Sequence, residues 1–226
     1  MAFLRCRGYL PHLESPNSTY FLTFRLVGSV PIKIIENWKF ERKGIQERAE
    51  KQSRPLSEYE RERLKYLFST RIEKYLDRLH GECWLKDPVI AQMVVDALKY
   101  FDGTRYQLHA WCIMPNHVHV VFTVISTAGE LNSNLIPILH SWKSYTAHRA
   151  NRILRRNGTF WQDEYYDRLI RSDEEFAHYI DYTLQNPLKA KLCRNWQDWP
   201  WGGCSEKVRQ LLSSQSLAGE TPAPRC

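Results

Sequence analysis

The sequence predicts an α+β protein in which an antiparallel sheet is covered by helices. Three observations carry that expectation. Residues 20–26 (Tyr-Phe-Leu-Thr-Phe-Arg-Leu) are dense in aromatic and β-branched side chains and read as a first strand. Runs 105–114 and 117–124 are also strand-like, and only Pro115-Asn116 separates them, as in a tight antiparallel hairpin. The other periodic segments repeat at helical spacing, so the order is strand, helices, hairpin, helix, helix.

The elements follow in order. Ser15-Pro16-Asn17-Ser18 is a turn cluster ahead of the first strand. Residues 31–48 read as a helix with Pro31 suited to its first turn. Ser57-x-x-Glu60 is a capping box opening a long amphipathic segment through Tyr59, Leu64, Leu67, Phe68, Ile72, Tyr75, Leu76 and Leu79. Asp87-Pro88 starts a helix over 89–101, closed by Asp102-Gly103. The whole stretch 31–102 shows no chemistry and is read as a helical insertion after the first strand. Residues 135–155 form a helix, and 160–171 are irregular or partly extended. Ser172 caps a helix over 173–185, with Asp173, Glu174 and Glu175 in the first turn where the dipole favours them. Asn186-Pro187 is expected to stop it. Residues 1–212 are read as one domain, and the Ser-, Ala- and Pro-rich end, 213–226, as a disordered tail.

Bulk properties exclude several classes. At 226 residues, 43% hydrophobic and 25% charged, the chain has the composition of an ordinary folded protein. No run approaches the roughly 18 apolar residues of a membrane span. The first twenty residues hold Arg5, Arg7, His12 and Glu14 and no apolar core, unlike a secretory leader, so a cytoplasmic protein is the expectation. Six cysteines are scattered without a Cys-x-x-Cys, against a zinc ribbon, a redox pair or a disulfide framework. Lys and Arg exceed Asp and Glu by 32 to 25, a formal charge of +7 that suits a polyanionic partner without requiring one.

The residues with the clearest chemical signal are His117 and His119 in Met114-Pro115-Asn116-His117-Val118-His119-Val120-Val121-Phe122. On a strand, i and i+2 share a face roughly 7 Å apart, so two neutral imidazoles can converge on one divalent cation. Val118, Val120 and Phe122 then point to the opposite, buried face. A histidine-triad nucleotide enzyme would need a third alternating histidine, and position 121 is Val.

Four segments together carry a resemblance. Trp111-x-x-Met114-Pro115-Asn116-His117-Val118-His119 resembles the His-hydrophobic-His signature of single-tyrosine transposases of the insertion-sequence-200 kind. Phe160-Trp161-Gln162-x-x-Tyr165-Tyr166-Asp167-x-x-Ile170-Arg171 is similar to a segment of their REP-associated relatives. So are Tyr179-Ile180-Asp181-Tyr182-x-x-Gln185-Asn186-Pro187-Leu188-Lys189-Ala190 and Trp199-Pro200-Trp201. The resemblance covers 20–26 and 107–202. It implies a ferredoxin-like sheet bearing the histidines, a nucleophilic tyrosine on a nearby helix, and Mg²⁺ or Mn²⁺ as cofactor. It also implies cleavage and rejoining of single-stranded DNA beside hairpins through a 5′-phosphotyrosine, by a monomer or a homodimer.

The chain holds twelve tyrosines. The family's nucleophile lies on the helix before Asn-Pro, which is Tyr182, with Tyr179 as close rival; Tyr165 and Tyr166 read as structural or DNA-contacting. Asn186 shares a helix face with Tyr182 at i, i+4, and its carbonyl suits a third oxygen ligand to a hard cation. His178, at i−4, could orient or deprotonate the phenol, although a solvent-facing residue fits that position more readily. Candidate DNA contacts are Lys143, Arg149, Arg152, Arg155 and Arg156 on or just past the 135–155 helix, with Trp142 and Tyr145 interleaved, and Arg168 and Arg171 beyond it. Two other readings use the same scaffold: a non-catalytic hairpin-binding protein, and a metal nuclease that activates water and uses Tyr182 for packing. A purely structural oligomerisation module leaves the histidine pair unexplained.

Overall fold

The alternation of side chains along a two-sided strand organises the molecule. The computed structural model describes residues 3–7, 10–14, 17–68, 70–125 and 135–218. In chain order the elements are a hairpin, β1 (Phe3–Arg7) and β2 (Leu10–Glu14), then β3 (Thr19–Leu26) and helices α1 (Ile32–Lys51), α2 (Glu58–Phe68), α3 (Thr70–Leu76) and α4 (Pro88–Lys99). There follow β4 (Tyr106–Ile113), β5 (His117–Val124), α5 (Leu135–Ile153), β6 (Trp161–Ile170), α6 (Asp173–Lys189), β7 (Gly202–Cys204) and α7 (Glu206–Ala218).

The main sheet has five strands in the order β6-β3-β5-β4-β7, and every pairing is antiparallel. The path β3-α4-β4-β5-α5-β6 is the split βαβ order of a ferredoxin-like fold, with β7 added beside β4. The α+β expectation therefore holds. One face packs Leu22, Phe24, Val118, Val120 and Phe122 against Ile90 and Val94 of α4 and Ile138, Leu139 and Trp142 of α5. The other packs Phe21, Ala110 and Val121 against Ile180 and Leu184 of α6 and Val208 of α7.

The stretch 31–102 divides in two. Helix α4, N-capped by Asp87 with Pro88 in its first turn, belongs to the sheet's own core. Helices α1 to α3 build a separate cluster around Val30, Trp38, Ile45 and Leu76. The capping box at Ser57 forms as expected: Glu60 N donates to Ser57 Oγ and Ser57 N to a Glu60 carboxylate oxygen. The segment it opens is two helices, not one, and Tyr59 is 78% exposed instead of joining the apolar face.

Four other expectations need correction. Residues 161–170 are a full edge strand, because β6 pairs with β3 from Thr19↔Ile170 to Leu26↔Trp161 across a bulge. Helix α6 does not stop at Asn186-Pro187. Pro187 lies inside it, buried, and the ladder resumes with Ala190 N donating to Asn186 O and Leu192 N to Pro187 O. Placed in the last turn, the proline removes one donor without leaving room for much kinking. Helix α5 ends at Ile153 because Arg155 adopts φ 51°, and Arg156 N closes back on Asn151 O in a Schellman-type end. Residues 213–218, expected in a disordered tail, continue α7, which Val208 and Leu212 anchor against the α6 side of the sheet. The remainder of that tail, 219–226, lies outside the described residues. The β1–β2 hairpin and the short β7 were not anticipated. β7 fits where it does because Gly203 lies against the Trp111 ring, which a Cβ would meet at 2.7 Å.

Trp142 is 3% exposed, and its indole N–H donates to the Tyr106 hydroxyl at 2.9 Å, whereas Tyr145 is 49% exposed. Trp142→Ala is therefore expected to cost about 3–5 kcal/mol in urea unfolding. Tyr145→Ala should stay within about 0.5 kcal/mol of the parent.

Candidate active site

His117 and His119 lie on the α6 side of β5, opposite Val118 and Val120, as their spacing predicts. Both are fully buried. Their partners follow from sheet register. Thr23, directly across from His119 on β3, places Oγ1 2.8 Å from His119 Nδ1. Asn116, the last residue of the hairpin turn, holds His117 Nδ1 at 2.6 Å from its Oδ1.

That second contact fixes a tautomer. The Asn116 Nδ2 donates to the carbonyl oxygens of Leu76 (3.2 Å) and His80 (3.5 Å), so Oδ1 must face the imidazole. An amide oxygen only accepts, so His117 Nδ1 carries the proton and Nε2 presents a lone pair. The two Nε2 atoms stand 2.9 Å apart. Thr23 can donate or accept, which lets His119 also present its Nε2 lone pair by placing its proton on Nδ1. Burial holds His117 far below the usual imidazole range, at about 3. It does the same to His119, reinforced by His117 and Lys189. Both rings are neutral near pH 7, the state a metal ligand requires.

Helix α6 carries both Tyr182 and Asn186 and brings the Tyr182 ring to the histidine pair. The Tyr182 ring meets His119 edge-on at 5.3 Å between centroids and Phe21 at 5.6 Å. Tyr179, the rival, stacks on Phe21 at 4.5 Å. Of these two, Tyr182 is the one in ring contact with the histidine pair. Asn186 is fully buried, and its Oδ1 and Nδ2 have no hydrogen-bond partner. An orphaned buried amide is costly, and its carbonyl oxygen is a hard donor of the kind a divalent cation takes. The donors His117, His119 and Asn186 therefore suit Mg²⁺ or Mn²⁺. His178 is exposed, with its ring centroid 6.4 Å from that of Tyr182.

Two residues that sequence reasoning passed over also converge here. The Glu73 carboxylate of α3 lies close enough for its charge to raise the Tyr182 phenol. Asp77, one turn on, faces the Asn186 amide without the alignment of a full hydrogen bond, so its Oδ1 is likewise buried and unpartnered. Burial, then Asp77, raises Glu73 to about 7, with Tyr182 and Lys189 opposing. Burial, then the charges of Glu73 and Asp77, pushes Tyr182 well above the ordinary phenol range. Lys189 Nζ stands 4.5 Å over the Tyr182 ring. A carboxylate pair at i, i+4 was the available signal, but nothing in the segment announced that the end of α3 folds back onto the hairpin turn at Asn116. Arg25, across from His117 in the register, is a further buried polar group, 8% exposed; burial lowers it to about 10, with Glu164 raising it.

The basic candidates separate by environment. Arg149, Arg152 and Arg155 are exposed along α5 and its end, across the sheet from the histidines. Arg149 lies over the Tyr145 ring at 5.5 Å. Lys143 is tied to the carbonyls of Gln162 and Asp163, and Arg156 stacks on Trp84 at 3.9 Å while donating to Asn151 and Thr159. Those two fasten α5 to the start of β6. Arg168, beside Tyr166 and Tyr179 on the site's face, is ion-paired with Glu175, and Arg171 is exposed at the end of β6.

Comparison with known proteins follows the same residues. Residues 84–182 match the family described as Transposase IS200 like. A REP-associated tyrosine transposase of Escherichia coli (strain K12) is 23% identical over 115 residues, which are 51% of this chain and 64% of that protein. A relative from Haemophilus influenzae is 23% identical over 119 residues, 50% of this chain and 68% of its own. The solved structure of a REP-associated tyrosine transposase bound to a REP hairpin aligns over 98% of this chain and 91% of its own, at 15% identity and a TM-score of 0.46. The matched segment, residues 84–182, holds the histidine pair and ends at Tyr182, and the chain spans 64% of the length of the Escherichia coli relative it resembles.

Proposed function

We propose that the protein cleaves and rejoins single-stranded DNA next to hairpins, with Tyr182 as nucleophile and His117, His119 and Asn186 as ligands of Mg²⁺ or Mn²⁺. The observation that carries this reading is the placement of the Tyr182 ring against His119, beside an unpartnered, buried Asn186 amide. When bound, the cation would act as a Lewis acid toward the scissile phosphate. The residues of the chain do the rest. Asn116 and Thr23 hold the imidazoles in their coordinating tautomers. Phe21 and His119 pack edge-on against the phenol ring and hold it beside the histidine pair. Attack by Tyr182 Oη forms the Oη–P bond as the P–O3′ bond breaks, leaving a 3′-hydroxyl and a 5′-phosphotyrosine. A second 3′-hydroxyl reverses the step and joins strands.

Arg149, Arg152 and Arg155 supply phosphate contacts on the outer surface of α5, with the exposed Tyr145 available to an unpaired base. Arg168 and Arg171 extend the basic path along β6, and Lys143 and Arg156 brace its edge.

Incubation with labelled single-stranded hairpin DNA from the genomic flanks tests the reading. A protein-linked band on a denaturing gel is expected with Mn²⁺ and not with EDTA. Tyr182→Phe should abolish it while keeping hairpin affinity, and Tyr179→Phe should keep it. Cleavage without a protein-linked band would favour a water-using nuclease instead, and hairpin binding without cleavage a non-catalytic binder.

His117→Ala and His119→Ala should each weaken Mn²⁺ binding in calorimetry by more than about tenfold, since second-shell losses alone cost that much. Removing Arg149 or Arg152 should weaken hairpin affinity and reduce the slope of log K against log salt by about one contact each. Lys143→Ala should lower unfolding stability more than it lowers that slope.

A further inference from the structure

We propose that Arg25 is a catalytic residue that binds phosphate, its guanidinium holding a non-bridging oxygen of the scissile phosphodiester beside the histidine pair; this rests on the function proposed above. Three features of the fold support the assignment. First, alternation along β3 turns Phe21, Thr23 and Arg25 to the face that carries His117 and His119, and the register sets Arg25 directly across from His117. Opposed residues of an antiparallel pair have Cβ atoms about 5 Å apart, close enough for both side chains to meet one phosphate.

Second, the guanidinium is short of partners for a buried cation. Arg25 is 8% exposed, yet among the described residues its one hydrogen bond runs from Nη1 to Ser29 Oγ at 3.2 Å, and it joins no ion pair. Ser29 Oγ directs its own proton to the Leu26 carbonyl at 2.7 Å, so toward the arginine it only accepts and steadies the side chain. A guanidinium has several more N–H donors than that bond uses, and burying a charge without a counter-charge is costly. An anionic substrate group supplies what is missing.

Third, the sheet is interrupted beside Arg25. The pairs Phe24↔Tyr165 and Leu26↔Trp161 flank it, so this single residue of β3 stands opposite Gln162, Asp163 and Glu164 of β6. Bulges of this kind re-aim a side chain and collect next to active sites. Burial lowers Arg25 to about 10, with Glu164 in the bulge opposing, so the guanidinium is cationic at neutral pH.

The chemistry follows from these placements. As the Tyr182 Oη–P bond forms and the P–O3′ bond breaks, negative charge gathers on the non-bridging oxygens. The phenol proton passes to water, and the departing 3′-oxygen takes a proton from water. Arg25 gives and takes none: its fixed, planar charge stabilises those oxygens through the step.

The test is single-turnover formation of the protein–DNA adduct with Mn²⁺, on labelled hairpin DNA carrying either a normal or a neutral methylphosphonate linkage at the cleavage site. Arg25→Met keeps the apolar stem and loses the charge. It should slow the reaction of the normal linkage by about 10²–10³-fold, with hairpin affinity held. On the methylphosphonate the loss should be at most about tenfold, the worth of a hydrogen bond to its one remaining oxygen. Arg25→Lys, which keeps the charge without the fork, should fall between parent and Arg25→Met on the normal linkage. Both linkages are compared within one variant, so a smaller folded fraction cancels from the ratio. If Arg25→Met does not fold, the same ratio is read on Arg25→Lys, again expected to show the larger loss on the charged linkage. Equal slowing on both linkages would overturn the proposal in favour of a packing role, as would a parent-like rate for Arg25→Met. If the parent forms no adduct, the underlying function fails, a separate result because it appears before any Arg25 variant is compared.

Discussion

Strand β5 is buried on both faces, and its register between β3 and β4 decides which chemistry lies on each. Val118, Val120 and Phe122 fill the core beneath α4 and α5, while His117, His119 and Val121 face α6. A slip of one residue would drive two imidazoles into the apolar core and turn valines toward Tyr182. The apolar side cannot tolerate that exchange, since fully burying one such side chain is worth about 1.5–3 kcal/mol. The site is thus specified by the hydrophobic effect acting on the residues between the histidines. The same register places Thr23 beside His119, so the tautomer follows from the pairing of strands.

Much of this was legible because it is periodic. The His-x-His spacing on a strand, the hairpin turn at Pro115-Asn116, the caps at Ser57, Asp87 and Ser172, and the i, i+4 relation of Tyr182 to Asn186 all appear as expected. The errors arose where tertiary contacts overrode local signals. Residues 161–170 alternate poorly by themselves and become a strand because β3 offers an open edge. Pro187 reads as a stop, yet packing of Pro187 and Asn186 into the interior carries α6 onward. Residues 213–218 have a disordered composition, but Val208 and Leu212 hold α7 in place. Glu73 and Asp77 were invisible for a different reason. Their helix has an ordinary charged pattern, and only its return to the hairpin turn, through Leu76 and Asn116, makes them part of the site.

The histidines and the α5 arginines occupy opposite sides of the sheet. A hairpin touching both must pass around an edge, and β6 is the edge strand next to α5. Lys143 and Arg156 pin α5 to the beginning of β6, while Arg168 stands on its far face. The proposed nucleic-acid path therefore runs over β6, with structural lysine and arginine contacts holding the strand that the DNA would cross. The helices outside the family-matched region reach the histidine hairpin through the end of α3, whose Leu76 carbonyl accepts from the Asn116 amide.

The most direct test of the central claim is peptide mapping of the protein–DNA adduct after nuclease trimming and trypsin digestion. The peptide between Arg171 and Lys189, Ser-Asp-Glu-Glu-Phe-Ala-His-Tyr-Ile-Asp-Tyr-Thr-Leu-Gln-Asn-Pro-Leu-Lys, contains both Tyr179 and Tyr182. Fragmentation should place the residual nucleotide on Tyr182 through its phosphate. A nucleotide on Tyr179, on Tyr166, or on no tyrosine would contradict the account.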